Sequence, residues 1–303
     1  MSDITKIGFI GLGVMGGAMA SNMASKGSEE VIVYDISPKR VGEYAEKGMT
    51  PAASYADVSR GDVIFTSLPD GEVLESVFFA SGGLCETLRE GQIFVDLSTV
   101  KYSVTLEIER KIREKKAHFL DAPVSGMAAR AIDGTLAVMC GGEEAIFEKI
   151  CPYLRRIGSN IVYMGQIGSG QAAKLINQLL FDINAAAIAE IFPLAVKIGL
   201  DPEKTVSIVN SGTGRSFASE FFAPGILKDN FTEGYALQSA YKDLVSACEI
   251  SSSLGLPLPV LNAAAMTYQM ALLKGYGSQN KGSMIHVFEE LFGVAFRSKE
   301  RVQ

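Results

Sequence analysis

The sequence predicts an α/β protein with two parts: a doubly wound, mainly parallel sheet domain, then an all-helical domain, joined by one long helix. Three observations carry this. Short apolar runs alternate with helical periodicity through the first half of the chain. Strand signals stop after Gly165. The chain has 303 residues, beyond the roughly 250–300 at which a single hydrophobic core stops growing. We place residues 1–165 in the first domain and 166–303 in the second, with the connecting helix at about 170–198.

Strands are expected at Lys6–Ile10, Val31–Asp35, Val63–Leu68, Ile93–Leu97, Phe119–Pro123, Leu136–Cys140 and Ile161–Met164. Helical periodicity separates most of them, clearest over Tyr102–Lys115 and Glu144–Ile157. Strand, helix, strand in succession is the signature of a doubly wound sheet. From Gly170 onward, Ile176, Leu180, Ile183, Ala187, Ile191, Leu194 and Ile198 recur at steps of three and four, which predicts one buried stripe. Lys174, Asn177, Phe181 and Ile188 form an adjoining stripe. A helix apolar on more than one side needs cover on more than one side, so it is expected to run between the domains. Pro193 removes a backbone donor and should bend it. Further helices are expected at about Pro202–Asn210, Tyr235–Leu254, Val260–Leu273 and Ser283–Leu291, and Ser211–Phe217 reads as a loop.

The net charge is −6 without any basic block, which argues against nucleic acid or an anionic membrane as partner. Met1–Lys6 is polar, and the apolar run after it, Ile7–Met19, is interrupted by glycines, so neither fits a signal peptide. No segment is read as approaching the roughly 20 apolar residues of a membrane span. Cys85, Cys140, Cys151 and Cys248 are widely spaced, and only His118 and His286 add imidazoles. This predicts reduced thiols in a cytoplasmic protein and no metal.

The first strand runs into Gly11-Leu12-Gly13-Val14-Met15-Gly16 and a small-residue helix. Gly11 permits a tight turn, Gly13 lets the backbone approach a pyrophosphate, and Gly16 lets helix and strand pack closely. The helix start then offers free amides and partial positive charge to phosphates. A lone GxGxxG is a weak signal, but here Asp35 closes the second strand 24 residues beyond Gly11, where a ribose-binding carboxylate is expected. A carboxylate there repels a 2′-phosphate, which favours NAD, with NADP possible because Lys39 and Arg40 lie close behind. The plainer reading of those two cations is a solvated helix face. Ser67-Leu68-Pro69 and Asp96-Leu97-Ser98-Thr99 end two further strands, where ligands of open α/β sheets bind, although such residues also make ordinary turns.

Taken in order, the motifs GLGVMG (Gly11–Gly16), SLP (Ser67–Pro69), DLST (Asp96–Thr99), DAPVSG (Asp121–Gly126), GTLAVMCGG (Gly134–Gly142), GSGQAAKLINQ (Gly168–Gln178) and YKDL (Tyr241–Leu244) resemble the β-hydroxyacid dehydrogenases over nearly the whole chain. That family includes 3-hydroxyisobutyrate dehydrogenase, tartronate semialdehyde reductase and 2-(hydroxymethyl)glutarate dehydrogenase. The resemblance implies a Rossmann-type N-terminal domain, an all-helical C-terminal domain and an active site in the cleft between them. It places the catalytic lysine at Lys174 with Asn177 as its companion. Ser125 and Gly126 fall at the substrate-carboxylate site, with Met127 lining the pocket. Leu68, Pro69 and Thr99 fall on the cofactor, and Lys242 on its nicotinamide side.

Elementary chemistry supports these roles. Oxidising an alcohol by hydride transfer requires removal of the hydroxyl proton, and a group that takes and returns it works best when its pKa lies near the working pH. Burial and the positive end of a helix both disfavour an ammonium ion, and so push a lysine at position 174 in that direction. The plain alternative is a lysine reaching out to solvent. Ser125-Gly126 can cradle a carboxylate or cap a helix. Two departures bear on substrate: Met127 stands where the family has a second glycine, and Arg130 stands where it has a small residue. Arg130 could grip a second anionic group, or be an exposed helix arginine. Arg215, in the loop, could face substrate.

The expected activity is hydride transfer between NAD(H) and a small β-hydroxy acid or semialdehyde acid, 3-hydroxyisobutyrate dehydrogenase-like. The alternatives are a reductase of a small anionic aldehyde (succinic semialdehyde, glyoxylate, tartronate semialdehyde or sulfolactaldehyde) and a catalytically silent dinucleotide sensor. The apolar C-terminal helices predict a homo-oligomer, a dimer or tetramer.

Overall fold

The computed structural model of the protein describes residues 4–298; residues 1–3, part of the polar N-terminal stretch, lie outside them. The chain forms two compact units, Met1–Lys174 and Leu175–Gln303.

The first unit runs β1 (Lys6–Ile10), α1 (Val14–Ser25), β2 (Glu30–Tyr34), α2 (Pro38–Ala45), β3 (Thr50–Pro51), α3 (Tyr55–Val58), β4 (Val63–Thr66), α4 (Gly71–Phe79), α5 (Leu84–Thr87), β5 (Ile93–Asp96), α6 (Tyr102–Glu114), β6 (His118–Asp121), β7 (Val124–Ser125), α7 (Met127–Asp133), β8 (Leu136–Gly142), α8 (Glu144–Ile157) and β9 (Gly158–Gly165). The strands form one sheet in the order β3-β2-β1-β4-β5-β6-β8-β7, with β9 beside β8. Pairing from β3 to β6 is parallel throughout. β8 runs antiparallel to β6 and β7, and β9 returns parallel to it.

The alternation of side chains explains why these runs read as uninterrupted hydrophobics. Ile7, Phe9, Val31, Val33, Val63, Phe65, Ile93 and Val95 face one layer with Met19 and Met23 of α1. Ile10, Ile32, Ile64 and Phe94 face the other with Leu74 and Phe78 of α4 and Ile108 and Ile112 of α6. A parallel strand is covered on both faces, so polar residues collect at its ends. The carboxyl ends of β1, β2, β4, β5 and β6 therefore share one polar edge. The two-residue strands β3 and β7 are additions to the expected set.

The long helix α9 (Ser169–Lys197) is followed by α10 (Pro202–Ser211), α11 (Phe217–Leu227), α12 (Leu237–Ser253), α13 (Pro259–Leu273), a 3-10 turn at Lys281–Met284 and α14 (Ile285–Phe292). α11 was not expected from sequence. The stripe expected to be buried on α9 lies mostly outside, although its Ile183 packs against the helical core, and on the adjoining stripe Lys174 and Ile188 are buried as expected. Ile176, Leu180, Ile191, Leu194 and Ile198 are 43–67% exposed, whereas Ala185, Ala186, Ile188, Ala189, Phe192 and Ala195 enter the helical core. Small residues let neighbouring helices approach closely, so the alanine face packs inward and the larger aliphatic face is left outside. Tyr235 is 51% exposed, while Phe231 is buried in the helical core. By length and composition α9 also qualifies as a membrane-spanning helix, contrary to the expectation that no segment does. Its buried alanine face belongs to the core of the second unit. That core also encloses an Asp182–Lys281 ion pair, with the ammonium 4.2 Å from the Phe181 ring centroid.

Candidate active site

β1 ends in a turn that only glycine can make. Gly11 has φ +94°, and a Cβ there would lie 2.2 Å from the Ser67 carbonyl oxygen. A Cβ on Gly16 would lie 2.0 Å from the Gly11 carbonyl oxygen, so α1 can start directly against the turn only without a side chain there. Gly13 is different. It precedes α1 as the N-cap, supplies no side-chain acceptor, and a Cβ would meet nothing within 4 Å. Open space over an uncapped helix N-terminus fits a diphosphate, which supplies acceptors for the free amides of Val14 and Met15. Val14 itself is exposed.

Asp35 follows β2 rather than ending it, and is 8% exposed. Its Oδ2 accepts the Leu12 N–H at 2.7 Å and its Oδ1 the Ser37 N–H at 2.8 Å. The carboxylate thus ties the glycine turn to β2 and stands where a ribose would follow the diphosphate. Arg40 Nη1 lies 3.7 Å from Asp35 Oδ2, while Lys39 pairs with Glu43. Arg40 therefore belongs to the rim of this site rather than to a purely solvated face.

The next strand ends interlock. Leu68 N–H donates to Ser98 Oγ at 2.9 Å, which fixes the Leu68-Pro69 turn beside the Ser98-Thr99 turn. Asp96 and Asp121 stand directly opposite one another on β5 and β6, both fully buried. Asp96 Oδ1 accepts from Thr66 Oγ1 at 2.8 Å and from Ser98 N–H at 3.1 Å. Burial pushes its carboxyl pKa up. Burial, reinforced by the Asp96 charge, raises Asp121 to about 6 against the pull of its own backbone donors. Those donors are Gly168 N–H, 2.7 Å from Oδ1, and Gln171 N–H, 2.8 Å from Oδ2. Gly168 directly precedes α9, so Asp121 caps the helix that carries Lys174. Lys174 is 7% exposed.

Ser125 ends β7, and Gly126 turns at φ +143° into α7. The stem of Arg130 crosses this turn: a Cβ on Gly126 would lie 2.7 Å from Arg130 Cδ. Arg130 is exposed. Met127 sits in the left-handed region at φ +62°, which costs a non-glycine residue about 1 kcal/mol.

The first unit thus assembles Gly11–Gly16, Asp35, Leu68, Pro69, Thr99 and the start of α9 along one sheet edge, with Ser125–Met127 at the turn after β7. Asn177 lies on α9 three residues beyond Lys174 and is exposed; Lys242 lies on α12 and is exposed. Arg215 pairs through Nε with Glu220 Oε1 at 2.7 Å, within its own unit. Asp121, Ser98 and Gln171 all lie inside the motifs DAPVSG, DLST and GSGQAAKLINQ, but the sequence names no individual role for Asp121 or Gln171 and does not show that the three are bonded to one another.

A family model for the NAD binding domain of 6-phosphogluconate dehydrogenase matches residues 6–165. One for the NAD-binding region of NADP-dependent 3-hydroxyisobutyrate dehydrogenase matches residues 168–288. The 2-(hydroxymethyl)glutarate dehydrogenase of Eubacterium barkeri is 37% identical over 97% of this chain and 98% of its own. The mitochondrial 3-hydroxyisobutyrate dehydrogenase of Rattus norvegicus is 34% identical over 96% of this chain and 89% of its own. The chain belongs to the β-hydroxyacid dehydrogenase family. A crystal structure of 3-hydroxyisobutyrate dehydrogenase from Salmonella typhimurium superposes with a TM-score of 0.85 at 27% identity, covering 94% of this chain and 100% of the other. As a β-hydroxyacid dehydrogenase the protein is an NAD(P)-dependent oxidoreductase acting on the CH–OH group of a small hydroxy acid. Its glycine turn, open above Gly13, and Asp35 are the residues that would hold the dinucleotide.

Proposed function

We propose that this dehydrogenase interconverts a small β-hydroxy acid of the 3-hydroxyisobutyrate type and the corresponding semialdehyde, with NAD preferred over NADP. The observation that carries the reading is the burial of Lys174, a residue 7% exposed on a helix start anchored to strand ends. The bound nicotinamide supplies the hydride acceptor. Lys174 takes the hydroxyl proton during oxidation and returns one during reduction, and a desolvated ammonium surrenders its proton more readily than one in water. Asn177, one helical turn on, orients the reacting oxygen. The Ser125 hydroxyl and the adjacent turn amides hold the carboxylate. The Asp35 carboxylate disfavours a 2′-phosphate, which supports NAD. Reduction of a small anionic aldehyde is the same chemistry run backwards.

The test is a panel of short hydroxy acids, semialdehydes and matching neutral alcohols, assayed with NAD(H) and NADP(H) in parallel. Turnover confined to the anionic compounds is expected, with the higher kcat/KM for NAD(H). Equal rates on neutral alcohols would remove the carboxylate site, and a preference for NADP(H) would remove the role given to Asp35.

We also propose that the protein is a homo-oligomer, with the exposed aliphatic stripe of α9 covered by a second copy of this chain. Support comes from the alignment of Ile176, Leu180, Ile191, Leu194 and Ile198, too large and regular an apolar surface for scattered exposure. Light scattering should give at least twice the 32.4 kDa chain mass, and Leu180→Glu together with Leu194→Glu should lower it. A monomer at micromolar concentration defeats the proposal.

A further inference from the structure

The first turn of α9 is bound to the sheet edge by more than its cap. Gln171 Nε2 donates to the Ser98 carbonyl oxygen at 2.8 Å, and Gln171 Oε1 accepts the Val100 N–H at 3.1 Å. Both halves of the amide are therefore spent on the turn after β5. The Gln171 backbone N–H is spent on Asp121, at the end of β6. Ser98 in turn accepts from Leu68, after β4. One residue thus connects α9, directly or through Ser98, to three successive strand ends.

The fit is close on every side. A Cβ on Gly170 would lie 2.3 Å from the Met139 carbonyl oxygen and 2.8 Å from Asp121 Oδ2. A Cβ on Gly141 would lie 2.5 Å from Asp121 Oδ1 and 2.9 Å from the Gly170 nitrogen. The helix start is pressed onto the sheet with no room for a methyl group, and Gln171 is 4% exposed. The Gln171 side-chain bonds are not capping at all: neither takes up an orphan N–H of α9, and both go to the turn after β5.

Lys174 lies three residues beyond Gln171, about 4.5 Å further along the helix axis. Helix geometry leaves almost no freedom between them, so whatever fixes Gln171 also fixes the root of the Lys174 side chain. We infer that Gln171 is a positioning residue of the dehydrogenase: its amide, together with the Asp121 carboxylate, locks the first turn of α9 to the sheet edge and so sets where the Lys174 amine stands. This rests on the reading of Lys174 as the proton-transfer group. Misplacing a reacting group by about 1 Å costs on the order of 100-fold in rate, so a rigid mount is worth having.

The experiment is a double-mutant cycle of Gln171→Leu and Lys174→Ala, with kcat, KM and the NADH dissociation constant measured for each form. Gln171→Leu is expected to lower kcat at least ~10-fold while NADH affinity stays within about threefold. In the double variant the losses should not multiply: its rate should match that of Lys174→Ala within about threefold, because a mount has nothing left to position. Multiplying losses, or wild-type kcat in Gln171→Leu, would overturn the inference. Should Gln171→Leu fail to fold, Gln171→Met carries the same cycle, since it keeps the length of the side chain and removes both amide bonds without adding a buried charge. Wild-type turnover in Lys174→Ala alone is the separate result that sinks the underlying assignment of the lysine.

Discussion

Lys174→Ala is expected to bind NADH within about threefold of wild type and to lose at least ~100-fold in turnover, the range over which positioned acid–base groups act. Lys174→Arg sharpens the result. It retains length and positive charge, but a guanidinium stays protonated throughout the working range and cannot accept the hydroxyl proton. Both variants should therefore be slow, and arginine should not rescue alanine. If charge alone were needed at this position, to steady an oxyanion, arginine would recover most of the rate. Stopped-flow turnover beside NADH fluorescence titration separates these outcomes. Near wild-type turnover in Lys174→Ala would end the assignment.

The second large effect concerns the glycine turn, where two neighbouring glycines should behave in opposite ways. Gly16→Ala places its methyl 2.0 Å from a backbone oxygen, which cannot move aside, so α1 must retreat from the turn. Thermal stability should fall, and NADH affinity should fall at least ~100-fold, since two displaced amide–phosphate bonds at about 1.5 kcal/mol each already give that factor. Gly13→Ala places its methyl in open space, and Gly13 has φ −63°, which alanine adopts freely. Its melting temperature should match wild type, yet its NADH affinity should drop, because the space belongs to the diphosphate. Undiminished affinity in Gly13→Ala would show that the dinucleotide lies elsewhere.

Much of this was legible in the chain. The central strands announce themselves because burial on both faces leaves them apolar throughout, and the Gly11–Gly16 turn because close backbone contact admits nothing larger. Strands β3 and β7 escaped because two residues carry no periodicity. Helix α11 escaped because Pro224 and Gly225 interrupt its pattern and because Ser216 and Ser219 form its capping box without an acidic residue. On α9, Lys174 and Ile188 of the adjoining stripe are buried, and most of the larger aliphatic stripe is exposed. Both sides are apolar, and only tertiary packing decides that alanines go inward. The residues proposed to carry the proton chemistry, Lys174 and Asn177, stood out through their motif. The mount beneath them did not, because Gln171 meets Ser98 and Val100 more than 70 positions away, and no spacing rule spans that interval.

The raised pKa of Asp121 has a consequence for how the first unit responds to acid. Its carboxyl moves from an ordinary 3.8 to about 6 in the folded chain, so between those values folding takes up a proton at this residue. The sign is opposite to that of a surface carboxylate held by a cation: Asp121 favours the folded state fully below about pH 3.8 and ceases to do so as the pH climbs past about 6. Mild acidification therefore does not dissolve the fold through this residue, even though it neutralises the helix cap.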